Sequence, residues 1–148
     1  MIKDKFQNIR EIINNSAEKY PDNNAFIVKN KDMQTYTYIT YKRLKQEIDA
    51  LGTALIKLGL RGKRVAVIGK NRYEWALAHV TNMLGGCVSV PLDKDLQFEE
   101  FETSLIRSKA ECIVFDEKHL DAINKVIENG DSTDTNLINV DKILHLYY

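Results

Sequence analysis

An alternation that begins at residue 64 constrains this chain most. Three short, almost wholly apolar runs, Arg64–Ile68, Cys87–Val90 and Cys112–Phe115, are separated by stretches with helical spacing. A strand that is apolar along its whole length needs cover on both faces, and parallel sheets receive that cover from the helices that connect their strands. The pattern therefore predicts an α/β fold: a mostly parallel sheet of βαβ units with helices on both faces. Helices are predicted over about Arg72–Leu84, along the face formed by Phe98, Phe101 and Leu105, and over Glu117–Asn129, closed by Gly130. A polar loop, Asp131–Asn136, and a fourth strand, Leu137–Val140, complete the pattern.

Upstream of residue 64 the periodicity differs. Phe6, Ile9, Ile12 and Ile13 follow helical spacing, and Ala17 and Tyr20 extend that face until Pro21-Asp22-Asn23-Asn24 breaks it. Ala25–Lys29 and Thr35–Ile39 flank the polar turn Asn30-Lys31-Asp32-Met33 and predict a small antiparallel hairpin near the N-terminus. Tyr41, Leu44, Ile48, Leu51, Leu55 and Leu58 then recur at steps of three and four, the mark of one apolar helix stripe. Thr40 suits the N-cap, because its hydroxyl can accept from an otherwise unpaired backbone N–H, and Gly59 suits the terminator. Nothing divides the chain, so residues 1–148 are expected to form a single domain.

Charge and cysteine content narrow the function. Lys and Arg total 21 and Asp and Glu total 21, so the basic excess of a nucleic-acid binder is absent and no nucleic-acid partner is expected. Two cysteines are too few for a disulfide scaffold. The stretch MIKDKFQNIREIINN has no apolar core of a signal peptide. A cytoplasmic location with reduced thiols is the expectation. Trp75–Leu92 runs 18 residues without an acid, lysine or arginine, long enough to suggest a membrane span. Within it, however, Gly85-Gly86 and Pro91 mark a helix ending and a strand running out, which points to buried core.

No catalytic constellation emerges from spacing. Gly69-Lys70-Asn71-Arg72 sits at a strand-to-helix turn, where open α/β sheets bind phosphates. Yet IGKNRYE carries neither G-x-G-x-x-G nor G-x-x-x-x-G-K-[ST], so it reads as a plain helix start, with Asn71 and Glu74 spaced as a capping pair. His79 has no ligand partner one helical turn away and reads as a core or interface histidine. Cys87 and Cys112 read as buried thiols, and with His119 and His145 they fit no zinc spacing. Ser89 lacks a nucleophile elbow. Asp93, Asp95, Glu99, Glu100 and Glu102 gather around a helix start, where the helix dipole favours carboxylates. The tyrosines of TYTYITY suit an edge hairpin.

Two segments are more specific. Ile39-Thr40-Tyr41-Lys42-Arg43-Leu44 resembles the early L-T-Y-x-E-L motif of AMP-forming adenylating enzymes, the acyl-CoA synthetase superfamily. Asn82 to Asp93, NMLGGCVSVPLD, resembles their second motif, roughly L-K-A-G-x-x-x-V-P-L-D. Between them, GLRGKRVAVIGKNRYEWALAHV is similar to the family's G-L-x-x-G-D-R-V-A-I-x-x-x-N-x-x-E-W. Asn71, Glu74 and Trp75, with the doubled glycine Gly85-Gly86, look most like the long-chain fatty acid–CoA ligase branch. Physical roles accompany the motif positions. Thr40 caps the long helix, Tyr41 and Leu44 begin its stripe, and Arg43 replaces the family's Glu, so the reciprocal half of a capping box is missing. Gly85-Gly86 ends a helix and lets it approach the next strand, and Pro91 stops that strand and aims the loop that holds Asp93.

The resemblance implies a parent enzyme that joins a fatty acid to ATP, with Mg²⁺, to give an acyl-adenylate and pyrophosphate. Coenzyme A then displaces AMP. No segment matches the family's phosphate loop, its Tyr-Gly-x-Thr-Glu segment, its ribose-binding Asp or its C-terminal Lys, so no catalytic residue carries over and no cofactor or metal is expected in this chain. Lys94 is the one position the resemblance offers to coenzyme A, and Asp93 and Asp95 count against it. The chain is thus expected to be the inactive N-terminal subdomain of a larger ligase, partnered by the remainder of that enzyme and prone to self-association through the apolar face that a missing partner leaves open. Alternatives are a piece of an amino-acid adenylation domain or another acid–thiol ligase, or a free-standing interaction module of the same fold. Peripheral membrane contact of the parent is left open.

Overall fold

The computed structural model describes residues 5–30 and 34–129 in full, and the backbone of residues 136–139. The expectations at residues 31–33, Gly130, 131–135, Val140 and His145 lie outside the described residues.

The order is α1 (Ile9–Lys19), β1 (Asn24–Lys29), β2 (Tyr36–Thr40), α2 (Tyr41–Lys57), β3 (Arg64–Ile68), α3 (Tyr73–Leu84), β4 (Val88–Pro91), α4 (Phe98–Ser108), β5 (Cys112–Phe115), a 3₁₀ turn (Glu117–His119), α5 (Leu120–Asn129) and β6 (Asn136–Asn139). β1 and β2 form the antiparallel hairpin, with Ile27 opposite Tyr38. The remaining strands form one parallel sheet in the order β4-β3-β5-β6.

Residue alternation in β3 and β5 assigns each helix to a face. Val65, Val67, Cys112 and Val114 point into a core with Leu44, Ile48, Leu51 and Leu55 of α2 and Leu77 and Leu84 of α3. Ala66, Ile68, Ile113 and Phe115 point the other way, toward Phe101 and Leu105 of α4 and Ile123 and Val126 of α5. Both faces are covered, which is why these two strands are apolar at nearly every position.

Local chemistry sets the helix ends. Thr40 caps α2: its hydroxyl accepts the Arg43 N–H at 3.2 Å. Gly59 ends it, with Gly59 N–H on the Ile56 carbonyl and Leu60 N–H on the Leu55 carbonyl, the paired bonds of a left-handed glycine terminator. In α1 the expected face is only half used. The helix begins at Ile9 behind an Asn8 cap, Phe6 precedes it, and Ile13 packs on the core while Ile9, Ile12 and Tyr20 stay exposed.

Two expectations are corrected. Asn71 and Glu74 are not a capping pair: Arg72 is the N-cap of α3, without a side-chain cap bond, and the Glu74 carboxylate accepts from Arg72 Nε instead. The frame of the helix lies one residue later than the spacing suggested. The final helix is not continuous from Glu117, because the His119 N–H bonds back three residues to the Asp116 carbonyl and makes a 3₁₀ turn before α5.

Candidate functional site

Strand order locates the site. After β3 the chain turns toward β4, and after β5 it turns the opposite way toward β6. The carboxyl ends of β3 and β5 therefore bound the switch point at which open α/β sheets bind ligands. Three turns meet there: Gly69-Lys70 after β3, Leu92–Gln97 after β4 and Asp116–His119 after β5.

These turns are tied together by a network that sequence reasoning missed. Asp116 is buried. Its Oδ2 accepts the Lys70 backbone N–H at 2.9 Å, and its Oδ1 accepts from His119 Nδ1. His119 Nε2 lies 3.2 Å from the Lys94 carbonyl oxygen. Burial alone would raise the Asp116 pKa. The Lys70 amide, the His119 ring and the neighbouring positive charges reverse that and hold it below the usual carboxylate range. A Cβ on Gly69 would sit 3.2 Å from Asp116 Oδ2, so the carboxylate fills the space directly above the β3–α3 turn.

The structure distributes the motif residues widely. Thr40 and Tyr41 sit at the start of α2, where the Tyr41 N–H donates to the Asn23 carbonyl, and Leu44 is in the core below them. Asn71 is exposed and, with Arg72, Tyr73 and Trp75, lines a cleft of about 710 Å³ against Phe26–Lys29 of the hairpin. Trp75 stacks on His79, with ring centroids 5.1 Å apart, and His79 Nδ1 lies 2.8 Å from Ser89 Oγ. Gly85 brings the end of α3 onto α2: a Cβ there would meet the Thr81 carbonyl at 2.9 Å and Gly52 Cα at 3.6 Å. The close approach is helix to helix rather than helix to strand as the sequence suggested. Gly86, at φ 81°, is the left-handed terminator, with the Cys87 N–H returning to the Asn82 carbonyl. Pro91 is the last residue of β4, opposite Val67. Asp93 Oδ1 accepts the Asp95 N–H at 3.0 Å and shapes the following turn.

Lys94 does not present a free ammonium to a phosphate. Its side chain is hydrogen-bonded to the Asp95 carboxylate, which raises the lysine pKa and lowers that of Asp95. A coenzyme A phosphate would have to displace that carboxylate in the presence of Asp93. Among the described residues no group of three His, Cys, Asp or Glu side chains could hold a metal ion. No chemical step is assigned to the groups at the switch point. Burial raises the Cys87 pKa and pushes that of Cys112 up to about 12, which favours the protonated thiol in both. No described helix is long and apolar enough to cross a membrane.

A parallel four-stranded sheet with helices packed on its two faces, and an antiparallel hairpin beside it, defines the class: an α/β protein. Comparison gives the family. Residues 13–146 match the model of the AMP-binding enzymes, and the chain belongs to that family. It is 29% identical over 101 residues to the medium-chain acyl-CoA ligase ACSF2, mitochondrial, of Bos taurus, covering 68% of this chain and 16% of the relative. It is 34% identical over 87 residues to long chain acyl-CoA synthetase 1 of Arabidopsis thaliana, covering 55% of this chain and 13% of that protein. Among solved structures, the N-terminal domain of FACL13 from Mycobacterium tuberculosis superposes with a TM-score of 0.82 at 21% identity, over 96% of this chain and 36% of that one. McyG A-PCP, solved with phenylalanyl-adenylate, does so at 0.75 and 18%, over 97% and 27%. At these identities the structural likeness shows the fold alone. The chain spans about a sixth of the length of the first of these curated relatives.

Proposed function

We propose that this chain is the amino-terminal scaffold of an AMP-forming fatty acid–CoA ligase. In that reaction a fatty carboxylate attacks the α-phosphate of ATP, pyrophosphate leaves, and the coenzyme A thiolate then displaces AMP from the acyl-adenylate. The observation that carries the proposal is the family match across residues 13–146, together with relatives whose names specify acyl-CoA ligation. The role of these residues is to form one layer against which the rest of the enzyme builds the nucleotide and acyl sites. Transfer chemistry of this kind needs preorganised donors and a cation at the phosphates. In this chain the Lys70 amide and the Lys94 ammonium already have internal carboxylate partners. The partner is the remaining polypeptide of the ligase, and the outward hairpin face of Ile27, Tyr36 and Tyr38 is an apolar surface available to it.

The branch preference rests on Asn71-Arg72-Tyr73-Glu74-Trp75 and Gly85-Gly86, and we take the acid to be long-chain. The test is an assay of the longer polypeptide that carries this segment, with ATP, Mg²⁺, coenzyme A and a graded series of acids. Acyl-CoA formation that peaks with long-chain acids is expected. A peak with medium-chain acids would keep the ligase and overturn the chain length. Activation of amino acids in place of fatty acids would overturn the proposal.

A further inference from the structure

His119 has two ring nitrogens and two partners, and neither partner donates. Nδ1 faces the Asp116 carboxylate and Nε2 faces the Lys94 backbone carbonyl. Asp116 is held ionised well into acid by the Lys70 amide and the ring itself. Turning the ring over changes which nitrogen meets which acceptor but not the count. Both hydrogen bonds exist together only when the ring carries two protons, that is, as the imidazolium.

We infer that His119 is a proton-dependent latch that holds the β4–α4 loop, residues 92–97, to the carboxyl end of β5. With two protons the ring bridges Asp116 and the Lys94 carbonyl. With one proton it keeps the bond to the carboxylate, which is the stronger acceptor, and the loop loses its tie to the neighbouring turn. The charged groups around the ring come from every turn that meets there. Asp116 faces it from the end of β5 and Asp95 from the loop itself, and Lys118 acts on Asp95 from the ring's own turn. Lys70 lies across Asp116, and Lys94 is neutralised by Asp95. Asp95 and Asp116 are both held below the ordinary carboxylate range, so both keep their charge near neutral pH. The inference concerns this chain's own residues and stands whichever acid the parent activates.

The test is a nuclear magnetic resonance titration of the whole 148-residue chain from about pH 5 to 8, the span in which imidazoles change charge. The His119 ring nitrogens report the proton count, and the Lys94 carbonyl carbon and Asp95 amide report the loop. Two protonated ring nitrogens at the acid end are expected, with the Lys94 and Asp95 signals moving at the ring's midpoint. Relative to the intrinsic base-catalysed rate at each pH, amide exchange at residues 94–96 should speed up roughly tenfold once the ring is neutral, the factor expected for losing one bond to a charged donor. His119→Gln, whose amide donates without titrating, should abolish the pH dependence of the loop and leave the fold intact. A ring carrying one proton at pH 5, or loop signals that ignore the ring's midpoint, would overturn the latch. If the variant does not fold, the titration of the native chain decides alone.

Discussion

Asp116 is the residue on which most of the site's geometry converges. Replacing it with Asn keeps an acceptor but removes the charge that binds the His119 ring, and should cost about 1–3 kcal/mol at neutral pH, read from urea unfolding. Because its folded-state pKa is depressed, its stabilisation is complete above the ordinary carboxylate value near 3.9 and is lost as pH falls through the folded value. The native advantage over Asp116→Asn should therefore shrink toward pH 2, and an advantage unchanged at that pH would contradict the assignment. Thr40→Ala should cost about 1 kcal/mol by leaving the Arg43 amide uncapped, while Thr40→Ser should recover most of it. Cys87 and Cys112 should resist a thiol reagent in the native chain and react fully only after unfolding, since both thiols are buried and shifted toward the protonated form. Which residues were legible follows from the range of their interactions. A cap such as Thr40 acts within three residues and leaves a local signature. Asp116 reaches Lys70 across 46 positions and His119 reaches Lys94 across 25, so no spacing rule could pair them.

At the scale of elements, the apolar runs located β3 and β5 most directly, because burial on both faces dictates their composition. The starts of α3 and α5 were misplaced for a common reason. In each, a nearby side chain redirects the expected local bond: Arg72 takes the Glu74 carboxylate, and Asp116 takes the His119 ring. The glycine pair shows the limit of turn chemistry. Its position marked the end of α3 correctly, yet the atom that a Cβ on Gly85 would crowd is the Thr81 carbonyl one turn back, with Gly52 of α2 in ordinary contact beyond it. Gly86→Ala should cost about 1 kcal/mol for forcing a side chain into the left-handed region. Gly85→Ala should cost more, since its Cβ would press on the Thr81 carbonyl at 2.9 Å, and chemical denaturation of the two variants gives the order directly. The outer hairpin face marks a second difference between elements. A two-stranded ribbon is marginal by itself, and this one covers only its inner face, with Phe26 and Val28 against the core and Ile27 60% exposed.

For the whole molecule, the family was legible because its motifs fall on the caps and turns of an α/β layer, where sequence and backbone geometry are tightly linked. Substrate, nucleotide and thiol specificity were not, because the groups at the switch point are satisfied internally and the chain spans only 16% of the Bos taurus relative. The side chains of Ile27, Tyr36 and Tyr38 form an exposed apolar strip on the outer hairpin face. The central claim is that these residues are scaffold, without the parts that activate an acid. The most direct measurement is fatty-acid-dependent release of pyrophosphate from ATP and Mg²⁺ by the purified 148-residue chain. Release no faster than in the acid-free control is the predicted result; release that rises with acid and saturates would contradict it.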